Sequence, residues 1–189
     1  THWKSVEKQA EGWLVTALKG DQQFQILADE LIDATELGDV AKAVGISYDM
    51  GMDPRDRFGE AIAPEQENDI VQDLTYVLIL EEFDEAVTPV KPPGYEPSHF
   101  YCATANVKCK KEMKRVLWPK EQMITYRKLP NNKYMINWPI NGNDFYANAI
   151  ELGFEERQIL YEQAKLKSKQ FLYYLQTELG FTHLGISKT

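Results

Sequence analysis

The strongest constraint on the fold is a stretch of helical periodicity near the carboxyl end of the sequence. Between Glu155 and Leu179, apolar side chains recur at spacings of three and four residues, and glutamates and lysines fill the positions between them. Gly180 follows directly, and glycine is the residue that most often ends a helix. The pattern predicts one long helix over about 155–179.

Two short apolar stretches near the amino end indicate a β-hairpin. Gly12 to Leu18 is rich in strand-forming residues, and Gln23 to Leu27 alternates polar with apolar residues. Gly20 and Asp21 lie between them and supply the turn. The preceding segment, Thr1 to Glu11, is polar and lacks a clear period, and we interpret it as a frayed helix.

Further strand patterns follow along the chain. Ile46 to Met52 predicts one strand, and Asp73 to Glu82 has the strongest strand pattern, with apolar residues on both faces. Met123 to Tyr126 and Lys133 to Asn137 predict two strands joined by a turn at Pro130-Asn131-Asn132. Together with the long helix, these strands predict an α+β fold with a largely antiparallel or mixed sheet.

Charge and cysteine content exclude several functional classes. The net charge is −8, and nucleic acids and anionic membranes attract clustered positive charge, so neither is expected as a partner. No apolar run is long enough to predict a membrane span. Cys102 and Cys109 lack the CxxC spacing and the paired histidines of a zinc site. They are either two free thiols or a disulfide across a turn.

An acidic turn rich in small residues follows the hairpin. In the sequence LIDATELGDVA, from Leu31 to Ala41, the residues Glu30 to Asp33 predict a short buried strand. Helical spacing begins at Leu37, and Gly45 suits the end of that helix. Turns of this composition bring backbone close to a bound nucleotide. The sequence contains no GxGxxG phosphate-binding loop to accompany the turn.

Four stretches of the sequence resemble one protein family. They are LIDATELGDVAKAVGISYDMG, FGEAIAP, QDLTYVLIL and KLPNNKYMINWPINGNDFY. The family they resemble is the bacterial FAD-dependent oxidoreductases with the glutathione-reductase-type flavin fold, and more narrowly their Bacteroidetes-like members. The resemblance covers nearly the whole chain after about Gly12.

The resemblance implies a division of the chain. Residues 1–52 would belong to the FAD-binding half, and residues 53–189 would form the substrate domain with its long helix. Members of the family hold the FAD pyrophosphate on a GxGxxG turn, which this sequence lacks. The resemblance therefore implies an internal fragment of a flavoprotein, without activity or bound FAD by itself. No secretory signal is visible, and either a cytoplasmic or a periplasmic location fits.

The cofactor-binding residues implied by the resemblance are Ala34, Thr35 and Asp39, which would contact FAD in the parent protein. Glu36 stands where the family usually has glycine, and a carboxylate would repel a pyrophosphate. The alternative interpretation is local, because Thr35 or Asp39 can cap the helix that follows.

A polar loop between a predicted strand and the long helix carries the candidate substrate-binding residues, Asn137, Asn141, Asn143 and Asp144. Polar loop side chains on a rigid sheet commonly bind small-molecule substrates. The alternative is turn chemistry, since asparagine and aspartate also form turns and caps. No catalytic residue can be identified from spacing, and no metal site is expected.

Two functional hypotheses result. In the first, the chain contributes the substrate domain and one edge of the flavin pocket to an FAD-dependent oxidoreductase, whose remaining parts are its partners. In the second, the chain is a stand-alone module that binds a ligand of the carbohydrate type and has no redox activity.

Overall fold

The chain folds into two compact units, as seen in a computed structural model that describes residues 2–113, 115–137 and 141–188. The first unit comprises residues 1–71 and the short segment Asn148–Glu151, and the second comprises Gln72–Ala147 and Leu152–Thr189. Helices are combined with antiparallel sheets, and one long helix lies near the carboxyl end. The predicted α+β fold is therefore confirmed.

The first unit is built on a three-stranded antiparallel sheet in the order β1-β2-β3. Strand β1 is His2–Gln9, β2 is Gly12–Lys19 and β3 is Gln22–Ala28. The predicted hairpin is confirmed as β2 and β3, with Gly20 in the left-handed turn conformation. The frayed-helix interpretation of residues 1–11 was wrong, because β1 pairs with β2 along its length and its polar side chains lie at an exposed sheet edge.

Two short helices, α1 (Asp39–Ala43) and α2 (Arg55–Phe58), follow the sheet of the first unit. The strand predicted over Ile46 to Met52 is absent, and only Met52 forms an isolated bridge, to Asn68. Gly51 has a φ of 81°, which turns the chain away from the extended conformation that a strand requires.

The second unit contains a four-stranded sheet in the order β6-β7-β5-β9, in which every neighbouring pair is antiparallel. These strands are β5 (Leu78–Glu82), β6 (Lys128–Leu129), β7 (Lys133–Ile136) and β9 (Leu184–Ile186). The turn between β6 and β7 is confirmed, and both Asn131 and Asn132 adopt positive φ there. A separate two-stranded sheet pairs β4 (Leu74–Thr75) with β8 (Asp144–Phe145).

Two strand predictions in the second unit need correction. The continuous strand over Asp73 to Glu82 is divided into β4 and β5. The strand predicted at Met123 to Tyr126 is instead helix α3, Lys120–Thr125, in which Met123 and Ile124 are both buried. Met123 N–H bonds to the carbonyl of Pro119, which starts the helical hydrogen bonding. The segment is too short for its period to distinguish helix from strand.

The predicted long helix is confirmed as α4, Phe154–Thr177. At its start, the Glu156 carboxylate accepts a hydrogen bond of 2.8 Å from the Gly153 amide. At its end, Gly180 has a φ of 80°, and the Phe181 amide bonds to the carbonyl of Leu175 in the manner of a Schellman motif. Glycine at the end of the pattern therefore correctly predicted where the helix stops.

The core of the second unit forms where α4 meets the four-stranded sheet and a short 3-10 helix at Pro97–Phe100. Phe171, Tyr174 and Leu175 of α4 have no solvent exposure, and the same is true of Leu80 on β5 and of Phe100. The ring of Phe100 lies 5.5 Å from those of Phe171 and Tyr174, so aromatic contacts join the 3-10 helix to α4.

Cys102 and Cys109 form a disulfide, with their Cα atoms 4.9 Å apart. The free-thiol alternative is therefore contradicted. The loop that the bond closes is also attached to α4, because the Asn106 amide donates to the Tyr174 hydroxyl at 3.2 Å. A covalent bond and a side-chain contact thus hold the same loop.

We predict that Cys102→Ala, Cys109→Ala and the double variant each lower the free energy of unfolding by about 2 kcal/mol. The loss follows from the closure entropy of a loop of this length in the unfolded chain. Urea denaturation measures it, and the three variants should match one another because each removes the same bond. Equal stability of the oxidised and the reduced wild-type chain would contradict the prediction.

Candidate functional site

The acidic turn of the first unit is organised by the carboxylate of Asp33. One carboxylate oxygen accepts a hydrogen bond of 2.8 Å from the Thr35 amide, and the other accepts one of 2.8 Å from the Ala41 amide in α1. Thr35 Oγ1 in turn accepts a bond of 2.7 Å from the Asp39 amide. The side chains of the turn therefore satisfy the amides at the start of α1.

The hydrogen bonds to Asp33 favour its ionised form. The amide of Ala41, followed by the amide and the hydroxyl of Thr35, lowers the pKa of the Asp33 carboxyl below its usual value. Asp33 was not among the predicted site residues. The sequence does carry a signal for this role. In an Asx turn, an aspartate side chain accepts a hydrogen bond from the backbone amide two residues later, as Asp33 does from Thr35.

The segment before this turn pairs with no strand among the described residues, so the strand predicted over Glu30 to Asp33 is absent. Side-chain exposure alternates, and Ile32 is 85% exposed whereas Leu31 and Asp33 are partly buried. The segment has the alternation of a strand, but within the described residues no neighbouring strand supplies the hydrogen bonds.

The three predicted cofactor-binding residues lie together on this turn. Ala34 is exposed, and Thr35 and Asp39 are partly buried. Gly38, in the left-handed conformation with a φ of 67°, precedes α1, and a Cβ atom added there would meet nothing within 4 Å. The turn therefore presents an open surface of small residues, with the exposed Glu36 beside it.

A second group of contacts in the first unit joins α1 to the segment Asn148–Glu151. Lys42 Nζ lies 3.1 Å from the Glu151 carboxylate and donates to the Ile150 carbonyl at 3.2 Å. The Tyr48 hydroxyl donates to the same carboxylate, and this bond together with Lys42 lowers the pKa of Glu151. Sequence reasoning missed this group, since 108 residues separate Lys42 from Ile150.

In the second unit, the predicted substrate-binding residue Asn143 is fully buried and braces the fold. Its side-chain amide donates to the carbonyl of Ile136 at 3.0 Å and also contacts the Tyr76 carbonyl and the Ser168 hydroxyl. Ser168, on α4, donates to the same Tyr76 carbonyl at 2.6 Å. Asn143 thus connects the end of β7, the break between β4 and β5, and α4.

The other three predicted substrate-binding residues flank Asn143. Asn137 follows β7, Asn141 adopts a φ of 58°, and Asp144 pairs with Thr75 in the two-stranded sheet. Each of the four has one buried side-chain atom without a hydrogen-bond partner among the described residues. Three of these atoms are oxygens and one is the Asn141 amide nitrogen, so the group is rich in acceptors.

Metal-binding clusters and membrane-spanning helices are both absent from residues 2–113, 115–137 and 141–188. No three histidine, cysteine, aspartate or glutamate side chains in these ranges come together in a way that suits a metal ion. No helix within them has both the length and the hydropathy of a membrane span.

Comparison with known proteins identifies the family. The family model described as FAD dependent oxidoreductase matches residues 1–189. The chain belongs to the FAD dependent oxidoreductase family. Neither the curated proteins nor the solved structures with which the chain was compared include a match.

Membership of the FAD dependent oxidoreductase family implies FAD in the parent protein, and the acidic turn fits that cofactor in one respect. Ala34 and Gly38 leave room for a close approach of the backbone. The amides of Thr35, Asp39 and Ala41, in contrast, already bond within the turn. The turn therefore suits van der Waals contact with FAD. It does not suit binding of the FAD pyrophosphate, which needs free amide donors.

We predict that Asp33→Ala destabilises the first unit at neutral pH and that the effect disappears in acid. Because the pKa of Asp33 is lower in the folded chain, its contribution is present above the unfolded value of about 3.9 and is lost as the pH falls through the folded pKa. The difference in unfolding free energy between wild type and variant, measured against pH, tests this.

Glu36→Ala is the matched control for Asp33→Ala, since it removes a carboxylate from the same turn, and it should leave stability unchanged. A difference between wild type and Asp33→Ala that stays constant down to the lowest pH would contradict the role of the ionised carboxylate.

We predict that Asn143→Ala lowers the unfolding free energy by about 2–3 kcal/mol, since it leaves buried carbonyl and hydroxyl groups with fewer partners. Ser168→Ala removes a contact of the same network. Urea denaturation of both single variants and of the double variant should show a double loss smaller than the sum. Additive losses would mean that the two side chains act independently.

Proposed function

We propose that this chain is the part of an FAD-dependent oxidoreductase that contributes one edge of the flavin pocket and the substrate domain. In this proposal the parent protein is bacterial, with the glutathione-reductase-type flavin fold and relatives of the Bacteroidetes type. Its remaining parts carry the phosphate-binding loop that this sequence lacks. The isolated chain is then inactive.

One observation carries the proposal, namely an unpaired segment with the alternating exposure of a strand, which leads into an open turn. Ile32, in that segment, is 85% exposed, which is unusual for an isoleucine with the alternating exposure of a strand. A neighbouring strand from the rest of the parent protein would cover Ile32 and bond its backbone. The same segment then delivers Ala34, Thr35 and Asp39 to the edge of the FAD site.

Exposed apolar surface elsewhere in the first unit supports the proposal. On β3, Ile26 is 48% and Leu27 60% exposed. Phe58, the last residue of α2, is 67% exposed, and Ile62, just beyond α2, is 98% exposed. Surface of this kind usually marks contact with another protein surface. The remaining parts of the flavoprotein are the proposed partner.

The proposed roles of the two regions follow the family resemblance. Residues 1–52 belong to the FAD-binding half, and residues 53–189 form the substrate domain. In that domain Asn137, Asn141 and Asp144 lie beside a small-molecule substrate, and the buried Asn143 holds their loop in place. When bound, FAD supplies the redox chemistry, and the chain supplies positioning.

We predict that the isolated chain does not bind FAD stoichiometrically. The turn offers shape without free amide donors, and the sequence has no phosphate-binding loop, so most of the binding energy is missing. Titration with FAD, followed by the visible flavin spectrum and by flavin fluorescence, tests this. Tight stoichiometric binding with a perturbed spectrum would overturn the claim that the site is incomplete.

The full-length gene product, in contrast, should bind FAD, and variants of it test the role of the turn. There, Ala34→Leu should weaken FAD binding by about tenfold, equivalent to about 1.4 kcal/mol, because the added side chain blocks close approach. Ala86→Leu, at another exposed alanine in the second unit, is the matched control and should bind FAD as the wild type does. Unchanged binding by Ala34→Leu would remove the turn from the flavin site.

A further inference from the structure

An apolar groove of about 460 Å³ runs along the second unit, outside the groups of residues described above. Its walls are the proline-containing segment from Val87 to Pro93, the second half of α4, and the edge strand β9. Its volume lies within the range of about 300–1,000 Å³ that is typical of sites for small organic ligands.

The floor and mouth of the groove are apolar. Leu166, Leu172 and Tyr173 of α4 line one side, and Ile186 of β9 lines the other. Val90 and Ile186 at the mouth are 82% and 50% exposed to solvent. A ligand with an apolar body would remove this surface from water, which favours binding.

The charged side chains of the groove are of one sign. Lys91 and Lys169 line it, and no aspartate or glutamate does, although the chain carries a net charge of −8. Neither lysine forms an ion pair with a described residue, whereas Lys42, Lys108 and Lys165 all pair with glutamates. Lys91 Nζ instead lies 6.0 Å from the ring centroid of Tyr95. The ammonium groups of Lys91 and Lys169 are therefore available to bind an anionic ligand.

Hydrogen bonds hold the walls in place. The Gln170 side chain on α4 donates to the Pro93 carbonyl at 2.7 Å, and that of Gln176 donates to the Leu184 carbonyl of β9 at 2.6 Å. The Val87 amide bonds to the Thr182 carbonyl at 2.9 Å. Because each wall is attached to another, a ligand entering the groove has little ordering cost to meet.

We propose that the second unit binds a small organic monocarboxylate in this groove, with its aryl or alkyl body on the apolar floor and its carboxylate between Lys91 and Lys169. The ligand class follows from the apolar lining together with the unpaired lysines of a single sign. All residues of the site lie in the second unit, and the site needs no flavin. The proposal can therefore be tested independently of the proposed oxidoreductase function.

The test compares an acid with its neutral analogue on the chain as it stands. Phenylbutyrate and phenylbutanol share an apolar body and differ in charge. Titration of the isotopically labelled chain, followed by NMR, should show saturable shifts for phenylbutyrate at amides of residues 87–93 and 166–176. Phenylbutanol should bind about tenfold more weakly. Equal affinities, or shifts confined to other regions, would overturn the proposal.

Variants separate charge from packing. Lys91→Met/Lys169→Met keeps the apolar length of both side chains and should weaken phenylbutyrate binding about tenfold, while phenylbutanol binding stays the same. Lys167→Met, on the same helix but outside the groove lining, is the matched control and should have no effect. Wild-type affinity of the double variant for phenylbutyrate would overturn the assigned role of the two lysines.

Discussion

The packing of α4 against the four-stranded sheet is the interaction on which the second unit depends. Phe171, Tyr174 and Leu175 of α4 are completely buried, and Phe100 joins them from the 3-10 helix. The same helix also anchors segments that have no regular structure. Its Tyr174 holds the disulfide loop through Asn106, and other residues of α4 hold the proline-containing segment and the break between β4 and β5. Displacement of α4 would therefore release several loops at once.

In the first unit, polar side-chain contacts hold the segments that lie outside the three-stranded sheet. The Asp33 carboxylate accepts hydrogen bonds from the amides of Thr35 and Ala41. The Glu151 carboxylate pairs with Lys42 and accepts a hydrogen bond from the Tyr48 hydroxyl. These contacts fix a turn and a return segment without closing an apolar core over residues such as Ile32, which stays 85% exposed. In the proposed function this openness has a purpose, because a cofactor edge has to be both held in shape and accessible.

Prediction from the sequence was correct where a single continuous stretch of the chain carried a clear periodic pattern. The periodicity of α4 and Gly180 at its end predicted that helix, and the paired patterns around Gly20 predicted β2 and β3. It failed where the periodic pattern covered only a few residues, or where the conformation depends on pairing with a distant part of the chain. Met123 to Tyr126 is helical, residues 2–9 form a strand, and Leu31 to Asp33 lacks a strand partner among the described residues. In each case, what lies alongside the segment decides its conformation, and a window of a few residues does not contain that information.

By itself, the sequence determined the α+β class, the long helix, the acidic turn and a resemblance to flavoproteins, because all of these reside in periodicity or in contiguous motifs. The tertiary structure alone decided that Asn143 braces α4, that Cys102 and Cys109 are bonded, and that Lys91 and Lys169 line one groove. Asn143 and Ser168, like Lys91 and Lys169, are far apart in the sequence, and they come together only after the apolar face of α4 has been buried. The two cysteines are close in the sequence, but whether they bond depends on the conformation of the loop between them, which the sequence left open.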